Sequence, residues 1–300
     1  MTRPDARPRR LRLPDGRTLA YQLYGASEGR PLYYFHGFPG SRLQAALHHE
    51  QALAANVCLV APDRPGFGWS DYQAGRSILG WAEDVAFMAD TLGHRRFGVL
   101  GVSCGGPYAL ACAHQMGERL NYVGLLAGMG PMDIPELRTA QLPALKLMFG
   151  LARVHPRLAS PLLALDSLLF RHNPERAVKA LAGLLAEPDR QLLAAAPEAA
   201  GDFAAFLAEA YRQGIRGACT EAALIASPRH FALEEIQVPV HLYQSGLDRH
   251  VPAVMGRHLQ ARLPQAHLRS YPQEGHLSIV INQFPQVLAD FSHSKQNEAA

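Results

Sequence analysis

The feature that most restricts the fold of this chain is an alternation of apolar runs and helical patterns over its first 128 residues. The apolar runs are short, as in buried or half-buried β-strands, and stretches with the spacing of amphipathic helices lie between them. We predict strands at 18–25, 31–35, 57–61, 96–102 and 120–128, and helices at about 43–55, 77–92 and 105–117. Strands that alternate with helices of this length predict parallel βαβ units, and therefore a doubly wound α/β sheet.

A long helical stretch interrupts this alternation. From about 131 to 230 the β signal is weak, and two helix starts are marked by a capping residue before a proline, at Ser160-Pro161 and Asn173-Pro174. The alternation then resumes, with strands at 239–244 and 268–272 and a final amphipathic helix at 284–292.

The chain length favours one core over two equal domains, since 300 residues is near the ceiling for a single hydrophobic core. We therefore expect an α/β core in two parts, 1–130 and 231–300, with an all-helical insertion at 131–230.

Charge and composition argue against several classes of partner. The formal net charge of +3, from 29 Lys and Arg against 26 Asp and Glu, is too small to predict nucleic-acid binding. No apolar run is long enough for a transmembrane helix. The basic first ten residues lack the pattern of a secretory signal, and we interpret them as a frayed terminus. The four cysteines show no metal-like spacing, so we expect reduced thiols, a cytoplasmic location and no metal or cofactor.

The sequence from Gly101 to Gly106 carries the strongest indication of chemistry. It has the pattern G-x-S-x-G, with a buried strand before it and a helix after it, which is the setting that gives this pattern meaning. A serine on such a sharp turn projects its hydroxyl above the sheet edge, and the glycines remove Cβ atoms that would clash there. The helix N-terminus beside it favours developing negative charge. We therefore predict Ser103 as a catalytic nucleophile.

A serine hydroxyl needs a base that is held by an orienting acid, in the chain order Ser, acid, His for this kind of turn. Asp248 follows the strand at 239–244, and His276 follows the strand at 268–272 directly after a glycine. Loops at the carboxyl ends of parallel strands meet at one edge of a sheet, so these side chains can converge on Ser103. Asp133 and Glu274 remain as alternative acids, and His250 competes weakly as the base.

Two backbone N–H groups are expected to stabilise the oxyanion. One is that of Cys104, the residue after the nucleophile, and the other that of Phe38, in the loop after the strand at 31–35. Pro39 has no N–H and cannot serve. We interpret His36 as a structural residue of this loop, and Asp63 as the acceptor of backbone hydrogen bonds within its own turn.

Five segments together resemble the α/β-hydrolase superfamily over roughly residues 11–292. They occur in that superfamily's order: HGFPG (36–40), DRPGFG (63–68), GVSCGG (101–106), GLDRHVP (246–252) and GH (275–276). The resemblance implies an eight-stranded, mostly parallel sheet flanked by helices, with a helical lid inserted after the sixth strand. It also implies acyl transfer in two steps, in which Ser103 attacks a carbonyl, His276 relays the proton and Asp248 holds the imidazole.

The function that we predict is hydrolysis of a carboxylic ester or related acyl bond of a small, mainly apolar substrate. Segments near 145–151 and 203–211 are expected to roof the pocket. Cofactor-free peroxidase or lyase chemistry, carbon–carbon bond hydrolysis and ligand sensing on the same fold remain alternatives. The HGFP loop also resembles epoxide hydrolases and haloalkane dehalogenases, but those relatives have an aspartate where this chain has Ser103.

Overall fold

The computed structural model describes residues 7–195, 197–228 and 230–294 and contains one eight-stranded sheet. The strands are β1 (Arg9–Arg12), β2 (Thr18–Gly25), β3 (Arg30–Phe35), β4 (Val57–Pro62), β5 (Phe97–Val102), β6 (Leu120–Leu126), β7 (Val240–Ser245) and β8 (Ala266–Tyr271). Their order across the sheet is β1-β2-β4-β3-β5-β6-β7-β8.

The sheet is mostly parallel, as predicted. Only β2 runs against its neighbours, since it pairs antiparallel with both β1 and β4, while the other pairs are parallel. β3, β5, β7 and β8 therefore end at the same edge. The loops that follow them carry the predicted site residues.

Twelve α-helices lie among the described residues. They are α1 (His49–Ala54), α2 (Gly80–Thr91), α3 (Gly106–Met116), α4 (Pro143–Val154), α5 (Ser160–His172), α6 (Pro174–Ala182), α7 (Glu187–Ala195), α8 (Pro197–Ala210), α9 (Arg216–Ala226), α10 (Ala253–Arg262), α11 (His276–Asn282) and α12 (Phe284–His293).

Both faces of the sheet are covered by helices. On one face, Trp81 of α2 and Leu110 of α3 belong to the larger apolar core, together with Met255 of α10. On the other face, Ile279 of α11 and Phe291 of α12 belong to a second core. Burial on both faces explains why the central strands read as continuous apolar runs.

Helices α4 to α9 form an insertion between β6 and β7. Between 127 and 239, no strand occurs among the residues that the structure describes. This helical insertion has a small apolar cluster of its own, which is formed by Phe170, Ala177, Phe206 and Leu207. Asn173 caps α6 as predicted, since its side chain accepts a hydrogen bond from the backbone N–H of Arg176 at 3.3 Å.

Three local predictions were wrong. Arg9 and Arg10 do not fray but belong to the edge strand β1, where Leu11 pairs with Leu19; residues 1–6 lie outside the described part of the chain. A 3-10 turn precedes α5, so Ser160 is not its cap but its first residue. The predicted helix at 43–55 is a 3-10 helix over Arg42–His48 followed by the short α1.

Across the described ranges, every helix is too short or too polar to cross a membrane.

Candidate active site

Ser103 lies at the sharp turn between β5 and α3. Its φ angle is +53°, in the left-handed region that residues other than glycine rarely adopt. The turn is packed tightly against β3, because a Cβ on Gly105 would lie 2.2 Å from the carbonyl oxygen of Phe35. Backbone strain of this kind persists only where the surrounding structure enforces it. The Ser103 side chain is thus held at the edge of the sheet, where it lines a cavity.

His276 and Asp248 are joined by a short hydrogen bond. The distance from Nδ1 of His276 to Oδ2 of Asp248 is 2.6 Å, and the side chain of Asp248 is completely shielded from solvent. When the neutral ring donates its Nδ1 proton to Asp248, Nε2 is left as the nitrogen that can accept a proton. His276 lines the same cavity as Ser103. The sequence suggested a loop position for His276, but the residue is the first of α11.

Burial and charge act in opposite directions on this pair. Burial alone would lower the pKa of His276, but the adjacent Asp248 carboxylate raises that pKa above its ordinary value. Burial also opposes ionisation of Asp248, but His276 and nearby donors hold the pKa of the carboxyl below its usual range. The ring can therefore accept a proton while the carboxylate stays charged, which is what a general base and its orienting acid require.

The carboxylate of Asp248 is fully engaged by the protein. Oδ1 accepts from the backbone N–H groups of His250 at 2.7 Å and Val251 at 2.9 Å, and Oδ2 also accepts from Oγ of Ser245 at 3.4 Å. Asp248, His250 and His276 have ligand atoms within 4.8 Å of one another, a composition that can hold a metal ion. An ionised carboxylate has about four acceptor positions, and these three donors together with Nδ1 of His276 use them. The hydrogen bonds of Asp248 therefore favour a role in orienting His276 over a role as a metal ligand.

His250 stacks on the imidazole of His276. The ring centroids are 4.8 Å apart with an interplanar angle of 23°. Burial, and then the neighbouring His276, lower the pKa of His250 to about 4, so the ring is neutral at pH 7. Of the alternative acids, Glu274 accepts from the side-chain amides of Asn282 and Gln283, whereas Asp248 is bonded to the His276 ring.

The loop after β3 lies against the serine turn, since a Cβ placed on Gly37 would be 3.5 Å from Cβ of Ser103. The N–H of Gly37 donates to Oε1 of Gln44 at 2.7 Å. Pro39 has no N–H, and Phe38, the predicted donor, lines the cavity together with Ser103. His36 is fully buried, and its Nδ1 is 2.8 Å from the carbonyl oxygen of Gly37, which fits a structural role.

A buried ion cluster binds the carbonyl oxygens of the loop after β3. The sequence analysis did not predict this cluster. Arg64 donates to the carbonyl oxygens of His36 at 2.5 Å and Gly37 at 2.9 Å, and also to the carboxylate of Glu221 in α9. Arg76 donates to the same carboxylate at 2.9 Å. Burial opposes ionisation of Glu221, but the two arginines lower its pKa to about 2. The helical insertion is thereby tied to the loop that carries Phe38.

A signal for this cluster was present in the sequence. Glu221 is the only acidic residue of α9 and lies in the run ACTEAALIA of apolar or small residues, and such a residue is seldom fully buried unless it is paired. Asp63 bonds the backbone N–H of Trp69 at 3.0 Å, as predicted, but it also binds the Arg42 guanidinium at 2.9 Å, 21 positions away.

The cavity has a volume of about 310 Å³ and a mainly apolar wall. The helical insertion supplies most of this wall, including both segments predicted as a roof, through Leu145 and Met148 in the first and Phe206 and Leu207 in the second. The acidic residue in the wall is Asp166, which accepts from the Tyr211 hydroxyl at 2.5 Å. Such a cavity suits a ligand with an apolar body and one polar centre near Ser103.

Known proteins share this fold. The family model described as "alpha/beta hydrolase fold" matches residues 30–283. An uncharacterized hydrolase, YcgS of Bacillus subtilis (strain 168), is 27% identical over 111 residues, which are 37% of this chain and 38% of the relative. This match thus spans well under half of the length of the curated relative.

Solved structures match over nearly the whole chain. A thermophilic esterase from Thermogutta terrifontis has a TM-score of 0.70 at 20% identity, covering 96% of this chain and 98% of that one. The enol-lactonase from Burkholderia xenovorans LB400 has a TM-score of 0.67 at 20% identity, covering 93% of this chain and 98% of that one. At this level of identity, the likeness establishes the fold.

Proposed function

Because this chain belongs to the alpha/beta hydrolase fold family, and is thus an esterase-like hydrolase of that fold, we propose that it cleaves carboxylic esters with an apolar acyl group through an acyl-enzyme on Ser103. The observation that carries the proposal is the 2.6 Å hydrogen bond from Asp248 to His276, because His276 lines the same cavity as Ser103. Similarity to an esterase and an enol-lactonase supports the same class of substrate.

In the proposed mechanism, Oγ of Ser103 attacks the ester carbonyl while Nε2 of His276 takes the hydroxyl proton. Asp248 holds the ring and stabilises the imidazolium that forms. The N–H groups of Phe38 and Cys104 stabilise the oxyanion, each by an amount that corresponds to about 10²–10³ in turnover. His276 then protonates the leaving alcohol, and a water molecule, activated by the same ring, cleaves the acyl-enzyme.

We further propose that the helical insertion acts as a lid that selects the acyl group. Its support is the composition of the cavity wall, to which α4, α5 and α8 contribute leucine, methionine and phenylalanine side chains. A negatively charged acyl chain would lose its hydration in such a wall without gaining a Lys or Arg partner among the lining residues. Neutral, apolar acyl chains are therefore the favoured substrates.

The nucleophile is tested by covalent labelling. A fluorophosphonate should modify Ser103, because the reagent traps a serine that a neighbouring base activates. The adduct is located by peptide mass mapping, and hydrolysis of p-nitrophenyl acetate should show an initial burst. An adduct on another residue, or no turnover of any ester by folded protein, would contradict the proposal.

The role of the cavity is tested by narrowing it. We expect Leu145→Trp to lower kcat/KM for p-nitrophenyl octanoate relative to the acetate by about tenfold, because each methylene that no longer fits loses its contribution to binding. Leu168→Trp is the matched control, since Leu168 is 57% exposed on α5 and lies outside the cavity wall. An unchanged chain-length preference in Leu145→Trp would reject the selective role of the insertion.

A further inference from the structure

Asp189, in α7 of the helical insertion, binds the main chain at His276. The residue is only 1% exposed. Its Oδ2 accepts from the N–H of His276 at 2.9 Å, and its Oδ1 accepts from the N–H groups of Leu277 at 3.0 Å and Ser278 at 2.8 Å. Three backbone donors beside the candidate base thus depend on a residue 87 positions earlier in the chain.

The first turn of α11 needs such a partner because its own cap cannot supply one. The first N–H groups of a helix have no acceptor within the helix, and a Ser, Thr, Asp or Asn side chain at the N-cap position usually satisfies one of them. Here the N-cap is Gly275, which has no side chain. Its small size is also required, since a Cβ there would lie 2.4 Å from Oδ1 of Asp189.

The charge of Asp189 also reaches the imidazole. The titratable groups around His276 are Asp248 and His250 from the loop after β7 and Asp189 from α7. Burial would lower the pKa of His276, and Asp248 and then Asp189 raise it. Burial, and then His276 and Arg249, lower the pKa of the stacked His250 ring, so this ring contributes no charge at pH 7.

We propose that Asp189 is a positioning residue, through which the helical insertion holds His276 in place for catalysis and stabilises its protonated form. The proposal rests on the proposed function, in which His276 is the base. It follows that displacement of α7 would disturb the base itself, although α7 supplies no residue to the cavity wall. A 1 Å displacement of a catalytic group can cost about 10²-fold in rate.

Three variants separate position from charge. Asp189→Ala removes the hydrogen-bond acceptors that position His276 and also the negative charge. We expect kcat to fall about 100-fold with little change in KM. Asp189→Asn keeps an acceptor oxygen but loses the charge, so kcat should fall less. The pKa of His276 should decrease, which moves the acid limb of kcat/KM to lower pH because the neutral ring is the active form. Asp189→Glu keeps the charge, so the acid limb should stay near its wild-type position while kcat falls.

Asp84→Asn is the matched control. Asp84 is also a buried carboxylate, with 8% exposure, and it accepts a hydrogen bond from Arg17 at 2.7 Å. It does not line the cavity. The substitution should lower the melting temperature without moving the acid limb. If Asp189→Ala does not fold, the Asn and Glu variants, which retain acceptor oxygens, carry the test. Folded Asp189→Asn with wild-type kcat and an unmoved acid limb would overturn the proposal.

A second readout does not require turnover. The titration of the His276 imidazole proton by NMR, in protein carrying Ser103→Ala, should shift to lower pH when Asp189→Asn is added. An unshifted titration would overturn the proposed charge effect even if the enzyme hydrolyses esters. Conversely, a shifted titration in a protein that hydrolyses no ester would leave the contact with His276 supported and reject the proposed function.

Discussion

Replacing Ser103 by alanine is expected to lower kcat for p-nitrophenyl ester hydrolysis by about 10⁴- to 10⁶-fold. The substitution removes the atom that forms the acyl-enzyme, while the oxyanion donors and the cavity remain. Stability should change little, because alanine meets the same backbone strain as serine at a φ angle of +53°. The measurements are steady-state kinetics and thermal unfolding of both proteins.

His276→Ala and the double variant sharpen this test. Residues that act as a unit are strongly non-additive, so the double variant should lose no more activity than either single variant. Ser227→Ala is the matched control, since Ser227 bonds the carbonyl oxygen of Ala223 at the end of α9 and lies outside the cavity wall. Additive losses, or a Ser103→Ala protein with more than a few per cent of wild-type kcat, would refute the assigned roles.

Replacing Glu221 by glutamine should lower the free energy of unfolding by about 3–5 kcal/mol, the usual cost of removing one partner from a buried ion pair. The substitution keeps the size of the side chain but leaves the positive charges of Arg64 and Arg76 uncompensated in the core. Arg64 also binds the loop that carries Phe38, so kcat should fall as well. Urea unfolding monitored by circular dichroism measures the first effect, and ester kinetics the second.

The control for Glu221 is Glu235→Gln. Glu235 pairs with His114 at 2.8 Å but is 65% exposed, and exposed pairs contribute at most about 1 kcal/mol.

The pKa of Glu221 is lowered from 4.5 to about 2, so its stabilising contribution is complete above pH 4.5 and is lost as pH falls toward 2. Wild-type stability in Glu221→Gln would show that the buried charges contribute nothing to the fold.

The prediction of the fold from the sequence succeeded where the pattern is local. The strands before Ser103 and Asp248 were recognisable because each is short, largely buried and ends in a turn containing glycine. The strand before His276 is also followed by a glycine, although its sequence, AHLRSY, is more polar and none of its residues is fully buried. Parallel order then required their carboxyl ends to meet at one edge of the sheet. The edge strand β1 was missed because three of its four residues are arginines, which protect an edge from further pairing but hide its β character.

The sequence by itself determined the α/β architecture, the helical insertion and the set of loops in which chemistry was to be sought. Only the tertiary structure decided that Asp189 binds the backbone of His276 and that Glu221 neutralises Arg64, since these partners are 87 and 157 positions apart. Periodicity and turn residues report on neighbours along the chain. A contact between an inserted helix and the core depends on how their whole surfaces pack, which no short stretch of sequence specifies.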